Sequence, residues 1–344
     1  MDTNIPTTPS TPSAPGFDFL DFLQNPWFLG IAGSVGGVLV LTAIHFFIKG
    51  KSFTNPIKAD KQVVVITGNS SRGKEVVREL ATRGATIYIG TTDVEKCENF
   101  VKEVQNSTKN KNIFVKKLNL GSHVSIREFV DSFLAEQQRL DVLIHDESVL
   151  KWAKTKTEDG LELHFGVNHV GQFVLTNLLL ETLKKSAPAR VLVVSNILYH
   201  CGAINKEDLN SEKSYSFHKA YPQSKLANLL FVRELSRRLE ESDVTVNAVY
   251  PGLVQPEIEG IAGKIGDYVI NLILKPYFWT FFKTPTAGAQ TILYGALEPE
   301  LKNTTGKYLQ ECSVKDLCEK SASCDLAKYL WDETEKIVAA NQAA

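Results

Sequence analysis

The sequence predicts an α/β fold, a doubly wound parallel sheet, preceded by a transmembrane helix. Three observations predict it. Residues 26–48 form an apolar run without Asp, Glu, Lys or Arg. Downstream, six short apolar runs recur at regular intervals, and stretches of helical periodicity separate them. Apolar runs that alternate with helices imply parallel strands covered on both faces. Right-handed crossovers wind such a sheet in two directions, giving the Rossmann type.

Residues 1–25, rich in Pro, Thr and Ser over their first sixteen positions, are expected to be disordered. A helix over residues 26–48 rises about 33 Å, enough to span a bilayer. Trp27 and Phe28 suit one interface, and Phe46 and Phe47 the other. Asp2, Asp18 and Asp21 precede the span, whereas Lys49, Lys51, Lys58 and Lys61 follow it. This asymmetry predicts a single-pass protein whose main domain is cytosolic, and the absent basic n-region argues against a cleaved signal. Gly33-x-x-x-Gly37 is compatible with pairing of two such helices, so a homodimer is possible.

Residues 49–61 read as a polar linker, and residues 62–335 as the α/β domain. Strands are predicted at Val63–Ile66, Thr86–Ile89, Ile113–Leu118, Val142–Ile144, Val191–Val194 and Val244–Val249. Helices are predicted near 74–83, 93–105, 123–138, 164–185 and 221–240. The aromatic-rich stretch 256–284 breaks this rhythm and reads as a substrate lid or a membrane-contacting segment. The 344 residues carry 38 Lys and Arg against 39 Asp and Glu. With that balance and no basic tract or finger, no nucleic-acid partner is expected. The five cysteines, at 97, 201, 312, 318 and 324, form neither a disulfide framework nor C-x-x-C pairs, so no metal is expected.

Strand Val63–Ile66 runs into Thr67-Gly68-Asn69-Ser70-Ser71-Arg72-Gly73-Lys74 and then a helix. A strand, a glycine turn and a helix N-terminus with free N–H groups make a cradle for phosphates. Farther on, Tyr221 and Lys225 lie four residues apart, on one face of a helix. A phenol with a pKa of about 10 needs help to exchange protons near neutrality, and an adjacent ammonium is expected to lower that value.

Gly73-Lys-Glu through Arg-Glu-Leu80, Asp159–His169, Leu175–Leu180, Tyr221-Pro-Gln-Ser-Lys-Leu-Ala-Asn228 and Pro251-Gly252 occur in an order that resembles the short-chain dehydrogenase/reductase superfamily. The similarity is greatest to its retinol-dehydrogenase-like branch and runs to about residue 310. The resemblance implies a catalytic set of Tyr221, Lys225, Asn168 and Asn196. It implies cofactor contacts from Gly68, Ser71, Arg72, Gly73, Asn119, Tyr221, Lys225, Pro251 and Gly252. The implied cofactor is NADP, with NAD possible. Thr92 replaces the acidic residue that would favour NAD, and Arg72 can pair with a 2′-phosphate. The implied substrate is a lipophilic alcohol or carbonyl compound, such as a retinoid, sterol or lipid aldehyde. The expected location is the endoplasmic reticulum membrane.

The chain departs from the family pattern at three places. The glycine turn is one residue shorter, with Ser71 near the middle glycine. His145-Asp146-Glu147-Ser148 replaces N-N-A-G. Asn196 stands at the serine position, 25 residues before Tyr221. An amide can donate to a carbonyl oxygen but cannot relay a proton as a hydroxyl does. Ser195 is expected to face the other side of its strand. Two readings follow: a membrane-anchored oxidoreductase, or a catalytically impaired relative serving as a binding or scaffold protein.

Overall fold

A computed structural model describes residues 26–255 and 275–343. The first unit, up to Phe47, contains most of helix α1 (Pro26–Lys49). Its side chains are described from Ser34 onwards, and Val38, Leu39, Val40, Phe46 and Phe47 are exposed. Among the described residues, no helix is long and apolar enough to cross a membrane.

The second unit, from Ile48, holds an eight-stranded sheet in the order β3-β2-β1-β4-β5-β6-β7-β8. Strands β1 (Val63–Thr67), β2 (Thr86–Thr91), β3 (Ile113–Lys117), β4 (Val142–His145), β5 (Ala189–Val194) and β6 (Val244–Tyr250) match the six predicted strands within three residues at either end. All of them pair in parallel. Alternation along β1 divides the core. Val63 and Val65 join the cluster under α4 (His123–Glu136), α6 (Gln172–Lys185) and α7 (Phe217–Arg238). Val64 and Ile66 join the cluster under α2 (Ser71–Thr82), α3 (Val94–Thr108) and α9 (Pro285–Leu297). Successive side chains of a strand point to opposite faces, so one continuous apolar run serves both layers.

Four features depart from the sequence expectation. The helix expected over 164–185 is split: α5 (Leu163–Phe165) passes through a π-helical turn, Gly166–Gly171, before α6 begins. Helix α7 starts four residues before Tyr221, which places the tyrosine inside the helix rather than at its end. Two three-residue strands, β7 (Tyr308–Gln310) and β8 (Ser313–Lys315), extend the sheet, with β8 antiparallel to β7. Past the short α10 (Glu319–Ala322), helix α11 (Cys324–Ala343) continues beyond the predicted end at residue 335. Residues 256–274 of the expected lid lie outside the described residues. Its last part forms α8 (Lys275–Phe281), with Tyr277, Trp279 and Phe281 exposed.

Candidate active site

A cleft of about 430 Å³ opens where the carboxyl ends of β1, β2, β4, β5 and β6 meet. In an open α/β sheet this is the edge at which ligands bind, because the strand order reverses between β1 and β4. Gly68, Arg72, Tyr221, Lys225, Pro251, Gly252 and Asn196 of the predicted residues line it. Ser71, Gly73, Asn119 and Asn168 do not. Thr91, Thr92, Asp93 and Lys96 form a polar rim at the end of β2.

The candidate catalytic side chains converge from two elements. Asn196 follows β5 and caps the 3₁₀ turn Ile197–Cys201 by accepting from the Leu198 N–H at 3.1 Å. Its remaining polar group, the Nδ2 amide, donates to the Tyr221 Oη at 2.6 Å. Ser195 is buried behind it, with its hydroxyl directed at the Lys225 carbonyl of α7, 3.5 Å away. The serine is therefore turned towards the helix backbone, as alternation along a strand requires. The Tyr221 ring stacks on Phe217 at 5.9 Å and meets the His164 ring edge-on at 5.5 Å, which fixes its plane. The Lys225 ammonium lies 5.6 Å from the centre of the Tyr221 ring.

The electrostatics differ from the expectation of a lowered tyrosine. Burial raises the Tyr221 pKa, and the neighbouring Ser148 hydroxyl, the Asn196 amide and the Arg72 charge oppose it only in part. Burial also pushes Lys225 down to about 7, with Arg72 adding to the depression and Asp146 opposing it. The lysine is thus a weak cation in a site that already holds a guanidinium, and the loss of solvation decides the sign of the phenol's shift. Glu147 is pushed up to about 7 by burial and by repulsion from Asp146. Its Oε2 is buried and has no hydrogen-bond partner.

Asn168 is fully buried in the π-helical turn. Its amide donates to the Val149 carbonyl at 3.2 Å and to Ser224 Oγ at 3.1 Å, and it accepts from the Val149 N–H at 2.8 Å. It braces the loop after β4 against α7 from behind the cleft. Asn119 similarly accepts from the Gly121 N–H and donates to Glu158. His145 is buried in β4, bonded to Thr176 Oγ1 at 2.7 Å, and burial drives its pKa down to about 3, which leaves it neutral and structural.

At the glycine turn, Gly68 has φ +86° and would place a Cβ 3.0 Å from the Glu147 backbone, so only glycine fits. Ser70 caps α2 by accepting from the Gly73 N–H. The Asp146 carboxylate comes across from the end of β4. It accepts from Ser70 Oγ and, at 2.7 Å, from Arg72 Nε, while Arg72 Nη2 donates to the Asp146 carbonyl at 3.0 Å. The Asp146 side chain is completely buried. This pair, and Thr91, Asp93 and Lys96 of the β2 rim, escaped the sequence reading, which names only Thr92 there. The available signal was that a new cation and a new anion replace neutral positions of two neighbouring motifs.

Residues 62–263 match the family model described as short chain dehydrogenase. The chain is 44% identical to retinol dehydrogenase 12 of Mus musculus over 298 residues, covering 86% of this chain and 92% of that protein. It is 40% identical to mouse retinol dehydrogenase 14, covering 90% and 96%. Among solved structures, an uncharacterized protein from Mycobacterium Paratuberculosis is similar at a TM-score of 0.66 and 31% identity, covering 84% of this chain and 97% of that one. A short chain dehydrogenase from Escherichia coli CFT073, complexed with NADPH, shares the fold at a TM-score of 0.58 and 17% identity.

Proposed function

Because the chain belongs to the short-chain dehydrogenase/reductase family of NAD(P)-dependent oxidoreductases, on its retinol-dehydrogenase-like branch, we propose that it interconverts an apolar alcohol and its carbonyl compound with NADP(H) as cofactor. The observation that carries this reading is the Asn196 amide on the Tyr221 phenol at 2.6 Å, beside a buried Lys225. A bound nicotinamide would supply or accept the hydride. Tyr221 would hold the proton at Oη for the substrate oxygen, and the Asn196 amide would donate to the same oxygen. Lys225, with a pKa near 7, is suited to exchange protons with the phenol and to hold a ribose hydroxyl.

The residues fit a nicotinamide dinucleotide at two of three places. Tyr221, Lys225, Pro251 and Gly252 suit the nicotinamide end, and Thr92 and Lys96 at the end of β2 suit an adenosine ribose with a 2′-phosphate. They do not fit the diphosphate as they stand, because Asp146 holds that position. Arg72, bonded to Asp146, is drawn into the cleft, whereas Lys96 stands with Thr92 on the rim at the end of β2.

An apolar substrate is supported by the residues that leave the site. Ile197 and Leu198 follow Asn196, Leu253 follows Gly252, and Leu150 and Trp152 lie just beyond Ser148; all five are exposed. Such a rim suits a ligand taken from a membrane. We place the anchor at residues 26–48, with the main domain cytosolic and the endoplasmic reticulum as its membrane. A second reading, a binding or scaffold protein that keeps the fold, is favoured by the Asp146 contact alone.

The test is a titration of the full-length protein with NADPH and NADH, followed by turnover with lipid aldehydes and ketones. The proposal expects saturable binding with NADPH preferred, and oxidation of NADPH by at least one apolar carbonyl. Saturable binding with no turnover across the panel would favour the scaffold reading.

A further inference from the structure

We propose that the cofactor cleft carries its own anion: the Asp146 carboxylate occupies the diphosphate position at the N-terminus of α2, and a dinucleotide enters only by displacing it from Ser70 and Arg72. This rests on reading the cleft as a nicotinamide-dinucleotide site. It adds that the chain's own carboxylate competes for it.

The topology brings the carboxylate there. Strand β4 lies beside β1, with Thr67 opposite His145, so the next residues, Gly68 and Asp146, leave the sheet side by side. The backbone N–H groups at the start of a helix after β1 are where an anion is held in this architecture. A glycine there lets the ligand come close to the backbone. At Gly73 an added Cβ would lie 2.6 Å from Asp146 Oδ2, so the gap that glycine leaves is taken by the carboxylate.

Three donors that would serve a phosphate are already engaged. The Gly73 N–H donates to Ser70 Oγ, whose own hydroxyl donates to Asp146 Oδ2. Arg72 turns both Nε and Nη2 onto Asp146. Helix α2 already has a side-chain cap, Ser70, on its Gly73 N–H. Asp146 is thus an anion brought from another strand to a helix end whose side-chain cap is already supplied by Ser70. Displacement would free Arg72 to pair with the incoming phosphates, so the guanidinium would exchange one anion for another.

Two probes test this on the full-length protein: NADPH and inorganic pyrophosphate, each titrated against wild type and Asp146→Asn. The amide keeps the size of the carboxylate, removes its charge and leaves one acceptor oxygen where Ser70 and Arg72 now meet two. Circular dichroism confirms the fold, and Asp146→Ser replaces the variant if Asn does not fold. The inference expects both ligands to bind the variant at least about tenfold tighter, since a unit charge a few ångströms from an anion is worth at least that. Unchanged or weaker binding of both ligands by the variant overturns it. If pyrophosphate tightens while neither NADPH nor NADH binds either protein, the resident anion stands and the dinucleotide reading falls. If NADPH binds both proteins equally, the dinucleotide reading stands and the resident anion falls.

Discussion

Lys225 is the residue at which burial and chemistry conflict most sharply. Its ammonium is 2% exposed and its pKa is depressed to about 7, chiefly by desolvation. Between about 7 and the ordinary 10.5, the folded protein binds fewer protons at this position than the unfolded chain does. Stability therefore rises with pH across that window. Glu147 has the opposite sense: its pKa is raised from 4.5 to about 7, so its contribution to stability is present below 4.5 and lost as pH climbs to 7. The two contributions together are smallest near pH 7. Lys225→Met is expected to gain on the wild type at pH 7, with the gap narrowing as pH approaches 10. Urea midpoints across that range check it, and a gap independent of pH would contradict it. The residues themselves were legible in the sequence, because Tyr221 and Lys225 sit at helical spacing. The sign of the tyrosine shift was not, because burial is set by Phe217, His164 and α7 packing together.

At the scale of elements, the central strands were readable from apolar runs alone, because each feeds both faces of the sheet. The elements that escaped are those whose signal is short or tertiary. β7 and β8 have three residues each, too few for a period; β7 takes its place by pairing with β6, and β8 by pairing with β7. The π-helical turn at Gly166–Gly171 is invisible to a helical period, yet it sets the depth of Asn168. Helix α11 runs from inside the predicted domain to beyond its predicted end at residue 335, and it is part of the core. Trp331 is 5% exposed, meets Phe173 of α6 edge-on at 4.7 Å and stacks on Phe231 of α7 at 5.8 Å. Arg238 covers its ring at 4.3 Å. Trp331→Ala is expected to cost about 3–5 kcal/mol of folding stability. Chemical denaturation measures it, and a loss under about 1 kcal/mol, typical of a surface site, would mean that α11 is an appendage.

For the whole molecule, the ordered motifs alone carry the family, and its relatives match most of the chain. The condition of the site was less legible. The sequence gives Arg72 and Asp146 as two separate departures, 74 positions apart. Only the β1–β4 pairing turns them into one ion pair inside the cleft. Likewise Asn196 reads as a lost serine, whereas the fold gives its amide a bond to the tyrosine that a proton donor needs. The account therefore rests on Tyr221 still serving as the proton donor despite these changes. The most direct measurement compares wild type with Tyr221→Phe in NADPH oxidation by a lipid aldehyde, at saturating NADPH. The account predicts turnover by the wild type and a loss of about 10²–10⁴-fold in the phenylalanine variant, with NADPH affinity retained. Equal rates in the two proteins, or no turnover by a wild type that binds NADPH, would contradict it.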